Sequence, residues 1–171
     1  MFRPMRRHRQ QLSPEQVQEV LLRGTSGVLS LLGDDGYPYG VPLSYVFHGE
    51  RLYFHCATEG HKVDAIRQED KASFCVIDQD HVVPEKYTTF YRSVIAFGRV
   101  RILENPEEKK AAALLLAEKY APKDLPSHRE ETVAESWDSL CMLEMEIQHV
   151  TGKAAKELAL DGENSCLLYT S

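Results

Sequence analysis

Residues 27–56 read GVLSLLGDDGYPYGVPLSYVFHGERLYFHC, and the fold turns on how this stretch divides. GVLSLLG (27–33) is a short apolar run bounded by glycines, the pattern of a buried strand. Asp34-Asp35-Gly36 is a turn signal, and YPYGVPLSYVFH (37–48) follows as a second extended run. Pro38 and Pro42 cannot donate a ladder hydrogen bond, so this strand is expected to be irregular or to lie at a sheet edge. His48-Gly49-Glu50 turns the chain into RLYFHC (51–56), a third strand. Three β-runs joined by tight turns predict an antiparallel meander rather than alternating strands and helices.

The flanking segments extend this reading. Ser13-Pro14-Glu15-Gln16 has the residues of a capping box with proline at the first helical position. Val17, Val20 and Leu21 then form one apolar face, and Gly24 ends the helix. Downstream, a short helix is expected over 61–69 with Val63 and Ile66 inward. A fourth strand, ASFCVID (72–78), a polar loop (79–88) and a long fifth strand, TTFYRSVIAFGRVRILE (88–104), follow. Gly98 inside the long strand signals a bulge or a close backbone approach. Asn105-Pro106 starts a helix that reaches Tyr120. Ser127-His128-Arg129-Glu130 predicts the cap of one more helix, holding Trp137. LCMLEMEIQHVTGK (140–153) is the sixth strand. The order predicts a mainly β protein with peripheral helices, a six-stranded antiparallel closed or split β-barrel. One domain is expected over 1–160. Residues 161–171 match no element and read as a disordered tail or a cloning remnant.

Composition narrows the class. The 171 residues are 43% hydrophobic and 27% charged, which suits one globular domain. A formal net charge of −6 argues against a nucleic-acid binder, which needs a basic face to neutralise phosphates. Arg3, Arg6, Arg7 and Arg9 are the local exception and read as a solvated or dimer-contacting arm. No apolar run follows them, and no stretch approaches the ~20 apolar residues of a membrane span. Cys56, Cys75, Cys141 and Cys166 form no CxxC, which fits a reducing cytoplasm.

Polar, charge-seeking groups crowd one handover from strand to helix, FHCATEGHKVDAI (54–66). Three readings are open there: a metal site, an anion site and an ordinary turn. Against a metal, His55 and His61 are six residues apart across a turn, and Cys56 alternates to the opposite strand face from His55. For an anion, Gly60 leads into a helix whose first N–H groups lack internal partners. Lys62 adds a full charge there, and His61 and Thr58 can donate hydrogen bonds. Phosphate is the natural match. No Ser-His-Asp arrangement or carboxylate pair stands out, and Asp34, Asp35, Asp78 and Asp80 read as turn residues.

GYPYGVPLSYVF (36–47), YFHCATEGHKVDAI (53–66), TTFYRSVIAFGR (88–99) and HVTGKAA (149–155) together resemble the pyridoxamine 5′-phosphate oxidase-related flavoproteins. Within these they look most like the 5-nitroimidazole antibiotic resistance (NimA-type) proteins, over about residues 7–156. The resemblance implies an FMN-binding split barrel that works as a homodimer with a flavin at each end of the subunit interface. It places His61 and Lys62 on the basic pair that holds the FMN phosphate, with Thr58 beside them. His55, Cys56 and Ala57 fall on the strand end along the flavin. Val41, Pro42, Leu43 and Ser44 fall on the strand that borders the isoalloxazine. Arg92 and Ser93 fall on the long-strand motif that reaches the cofactor. The general oxidase carries an Arg and a Lys where this chain has neutral residues around Gly40 and Tyr45, which argues against vitamin B6 oxidation. NimA-type proteins imply a histidine near the flavin that carries a pyruvate-like group, and His61 is the candidate catalytic residue; binding phosphate alone is its other role. The implied activity is reduction of small acceptors such as nitroimidazoles. The alternative is a non-catalytic module of the same fold that stores flavin or haem.

Overall fold

Ser13 opens helix α1 (Pro14–Arg23): its hydroxyl accepts the Gln16 N–H at 3.3 Å while Gln16 Oε1 accepts the Ser13 N–H at 2.9 Å. The capping box is therefore complete, and Val17, Val20 and Leu21 are buried along one face. The computed structural model describes residues 1–160; the expectation for residues 161–171 lies outside the described residues.

Seven strands follow where six were expected. They are β1 (Ser26–Leu32), β2 (Pro38–Ser44), β3 (Val46–His48), β4 (Arg51–Ala57), β5 (Lys71–Val83), β6 (Thr88–Ile102) and β7 (Leu140–Ala154). The extra strand arises because the second run breaks at Tyr45. All pairs are antiparallel, in the order β2-β1-β5-β6-β7-β4-β3. Strands β2 and β3 thus form opposite edges of one sheet, yet only Tyr45 separates them. Two Cα steps span at most about 7.6 Å, so the two edges must meet. The sheet curls into a split barrel, and the chain crosses the split at Tyr45.

That crossing is tightly held. Tyr45 is fully buried, and its hydroxyl donates to the Leu21 carbonyl at 2.9 Å. Its N–H donates to Tyr120 Oη at 3.0 Å, and its ring packs edge-on against Phe74 at 4.9 Å. The Lys119 ammonium lies 4.3 Å from the ring centre. Leu29, Phe54, Phe74, Val76, Val94 and Leu143 fill the barrel interior, with α1 and α2 (His61–Gln68) packed against it. A second core lies outside the barrel, where Met142 and Leu103 meet Ala112, Leu116 and Val133 of helices α3 (Pro106–Tyr120) and α4 (Pro126–Glu135).

Other expectations need adjusting. Strand β5 runs through residues 79–83, expected as loop, because β6 supplies ladder partners as far as Val83↔Thr88. The register slips between Ile77 and Gln79, which sets Asp78 apart from the ladder. Gly98 does mark a bulge: the β6–β7 register shifts there, and a Cβ would collide with the Glu146 carbonyl. Helix α3 starts at the expected Asn105 cap, whose side chain accepts the Glu107 and Glu108 N–H groups. Helix α4 starts two residues earlier than expected, at Pro126 after the Leu125 cap position, so Ser127 sits inside the first turn and caps nothing. It ends at Glu135, and Trp137 lies in the turn beyond, under the Lys109 ammonium at 4.1 Å. A last helix, α5, covers Lys156–Leu160. No helix of the described residues is long and apolar enough to cross a membrane.

Candidate functional site

Beyond the Tyr45 corner, β2 and β4 approach one another without pairing, which leaves an open seam in the barrel wall. Most of the expected site residues lie along it. On β2, Val41 and Leu43 turn toward the interior, while Pro42 is exposed and Ser44 half-buried. On β4, Cys56 faces inward with Leu52 and Phe54, and His55 is exposed on the outer face. The strand period therefore separates His55 from Cys56 as the sequence required.

Ser44 and His55 meet in one cavity of about 430 Å³ outside the barrel. Leu116, Tyr120, Val133 and Met142 supply its apolar wall. The β4 end carries the chain through Thr58 to Gly60, which begins α2. Gly60 has φ +120°, a conformation L side chains rarely adopt, and no atom lies within 4 Å of the place its Cβ would take. No side chain caps α2. The first N–H groups of α2 thus have no side-chain cap, and Lys62, half-buried at the second helical position, forms no ion pair among the described residues. An uncapped helix start with an adjacent unpaired ammonium suits a phosphate.

His61 occupies the first position of α2, beside Lys62. Its ring stacks on Tyr39 of β2 at 4.1 Å with planes 19° apart, and Nε2 lies 3.7 Å from Asp34 Oδ2. It bridges the seam from α2 to the β1–β2 turn. Asp34, read from sequence as a turn residue, also faces this histidine. His55 and His61 are not brought together: one lines the outer cavity and the other stacks on Tyr39.

Arg92 and Ser93 lie on β6, and Arg92 lines a cavity with Ser26, whose ladder partner Ser44 lines the outer cavity. The Arg92 guanidinium is held by Asp78, which also accepts Arg23 Nη2 at 2.6 Å. Burial pushes the Asp78 carboxyl up, but the two guanidiniums prevail and hold it below the usual range. This cluster lines a second cavity of about 410 Å³ with Thr25, Ser26 and Gln79.

Cys141 is a residue that the sequence reading left without a role. It lies directly across from Cys56 in the β4–β7 ladder, on the same inward face. The signal lies in strand register, which one sequence does not display.

A family profile described as pyridoxamine 5′-phosphate oxidase matches residues 13–154. The chain belongs to this family. The matched span of the pyridoxamine 5′-phosphate oxidase family runs from the Ser13 cap to the end of β7, so it includes the corner, the seam and α2. Solved structures share the fold. A conserved hypothetical protein of Mycobacterium tuberculosis superposes with a TM-score of 0.78 at 17% identity, over 91% of this chain and 92% of that one. A candidate 5-nitroimidazole antibiotic resistance protein of Bacteroides thetaiotaomicron gives 0.72 at 20% identity, over 84% and 86%. A flavocytochrome of Azotobacter vinelandii gives 0.74 at 17%, over 89% and 72%. No curated protein matches the chain.

Proposed function

We propose that this member of the pyridoxamine 5′-phosphate oxidase family is an FMN-dependent oxidoreductase for small flat acceptors such as nitroimidazoles. The observation that carries the reading is the uncapped start of α2, with Gly60 open and Lys62 making no ion pair among the described residues, at one end of an unpaired seam. The α2 N–H groups and Lys62 would hold the phosphate, with Thr58 as a further donor. Val41, Pro42, Leu43 and Ser44 on one side of the seam and His55, Cys56 and Ala57 on the other would border the rest of the cofactor. Bound flavin supplies the electron-carrying chemistry that no side chain here provides. The chain's part is to position it, to keep an apolar wall beside it, and to admit a flat acceptor near Tyr39 and His61. His61 retains the catalytic assignment in this reading. Stacked on Tyr39, its imidazole is held in place to donate to an acceptor or to act as a nucleophile toward a keto acid.

The reading includes a homodimer in the cytoplasm. The outer face of β1, β5 and β6 leaves Val28 (37%), Ile95 (37%) and Ile77 (66%) exposed side by side, next to Pro42. A second copy covering this face buries that apolar band and gives Arg92 and Ser93 a route to the partner's cofactor. Sedimentation giving the monomer mass of 19.5 kDa at micromolar concentration would count against it.

The alternative, a module that stores flavin or haem without turnover, draws on His55, whose exposed imidazole borders an apolar cavity. One assay separates the two. The flavin-loaded protein is photoreduced without oxygen, a nitroimidazole is added, and reoxidation is followed. The oxidoreductase reading expects transfer faster than from free reduced FMN, and loss of it in a folded His61→Ala protein. Transfer no faster than free FMN supports the storage module. Unchanged transfer in His61→Ala removes only the role of that histidine.

A further inference from the structure

Cys56 and Cys141 are direct cross-strand partners, in register between His55↔Met142 and Ala57↔Leu140. Directly opposed residues of an antiparallel pair have Cα atoms about 4.5–5.5 Å apart, inside the range a disulfide requires. Both side chains face the barrel interior, so their Cβ vectors point to the same side. Both are free thiols. Cys141 is 7% exposed and Cys56 more so, which leaves the pair reachable by a small oxidant.

The charges around the pair favour a thiolate. The hydrogen bond from Cys56, and then Lys109, Arg67 and Lys62, outweigh burial and bring the Cys141 thiol down to about 7. The same shared hydrogen bond, with burial, holds Cys56 up as the protonated member. An attacking thiolate next to a protonated resolving thiol is the arrangement that peroxide chemistry uses. Cys75 offers a contrast within the same chain: no cysteine lies opposite it, since its partners are Val28 and Ile95, and burial raises its thiol.

We infer that Cys56 and Cys141 form a reversible dithiol–disulfide pair that is oxidised by a small peroxide. The Cys141 thiolate attacks one peroxide oxygen and the O–O bond breaks. The leaving hydroxide takes a proton and departs as water, and Cys141 is left as a sulfenic acid. Cys56 then attacks the Cys141 sulfur, the S–O bond breaks, and the Cys56 proton leaves with the hydroxyl as a second water. Two thiols lose two electrons and the peroxide gains two. An external thiol reductant resets the pair by exchange. This chemistry needs no flavin, although Cys56 is also among the residues proposed to border one.

The test uses the reduced full chain and hydrogen peroxide at one equivalent, followed by N-ethylmaleimide, digestion and mass spectrometry. Expected is one crosslinked species joining the Cys56 and Cys141 peptides, lighter by two hydrogens and restored by dithiothreitol, with Cys75 alkylated as a free thiol. Cys56→Ser should stop at a Cys141 sulfenic acid that dimedone traps. Separate alkylation of Cys56 and Cys141 after peroxide, or oxidation of Cys75 before either, would overturn the inference; the wild-type measurement does not depend on how well a variant folds.

Discussion

The two ends of the barrel's seam are built in opposite ways. At the Tyr45 corner every polar group has a partner: Tyr45 donates to the Leu21 carbonyl, the Tyr120 hydroxyl donates to Thr25, and Lys119 donates to Gly24. At the α2 start no side chain caps the helix and Lys62 makes no ion pair among the described residues. A satisfied buried network fixes one geometry, whereas unsatisfied donors at a surface await a ligand. The comparison teaches where this chain keeps its stability and where it keeps its capacity to bind.

The largest expected effect is at the corner. Tyr45→Ala should cost about 3–5 kcal/mol in urea unfolding, as for other buried aromatic truncations, because it opens the barrel's crossing point. Tyr45→Phe, which keeps the ring and strands the Leu21 carbonyl, should cost about 1 kcal/mol. If the alanine variant cost no more than the phenylalanine one, the corner would not be what closes the barrel. Next comes Gly98→Ala, about 1–3 kcal/mol by the same measurement, because its Cβ meets backbone rather than a movable side chain.

Acid should weaken the two ion-pair clusters. Burial raises the Glu144 carboxyl, but Arg101 and Arg51 hold it below the usual range, as Arg23 and Arg92 do for Asp78. Both groups are depressed in the folded state, so their contribution is present above the unfolded value and lost as pH falls through the folded one. Stability measured across a pH series should therefore decline below about pH 4.5. Glu144→Gln should flatten part of that decline, and a slope identical to wild type would show that this cluster does not set it.

Much of this was legible in the sequence, where the signal is local. The Ser13 capping box, the Asn105 cap, the turn at 34–36 and the Gly98 bulge all rest on neighbouring residues or on one backbone requirement. What the sequence hid depends on distant partners. Tyr45 breaks a continuous β-run because Leu21 and Tyr120, 24 and 75 positions away, bind it. Residues 79–83 look like loop because both faces of that hairpin arm are largely solvated, so no apolar period marks them. In the site, Gly60 and Lys62 could be read from a strand-to-helix handover. The Tyr39–His61 stack and the Cys56–Cys141 pair could not, since each comes from how the curled sheet sets separate segments side by side.

The smallest expected stability change is at the open end. Lys62→Ala should alter unfolding by no more than about 0.5 kcal/mol, as for surface changes away from packed features. Its effect should appear in binding instead, and that makes one titration the most direct test of the account. FMN and riboflavin, which differ by the phosphate, are titrated into wild-type protein and into Lys62→Ala. The account predicts that wild type binds FMN far better than riboflavin, and that Lys62→Ala loses about 1–3 kcal/mol of FMN affinity while riboflavin binding is unchanged. Equal affinity of wild type for the two flavins would contradict it, because the α2 start would then hold no phosphate.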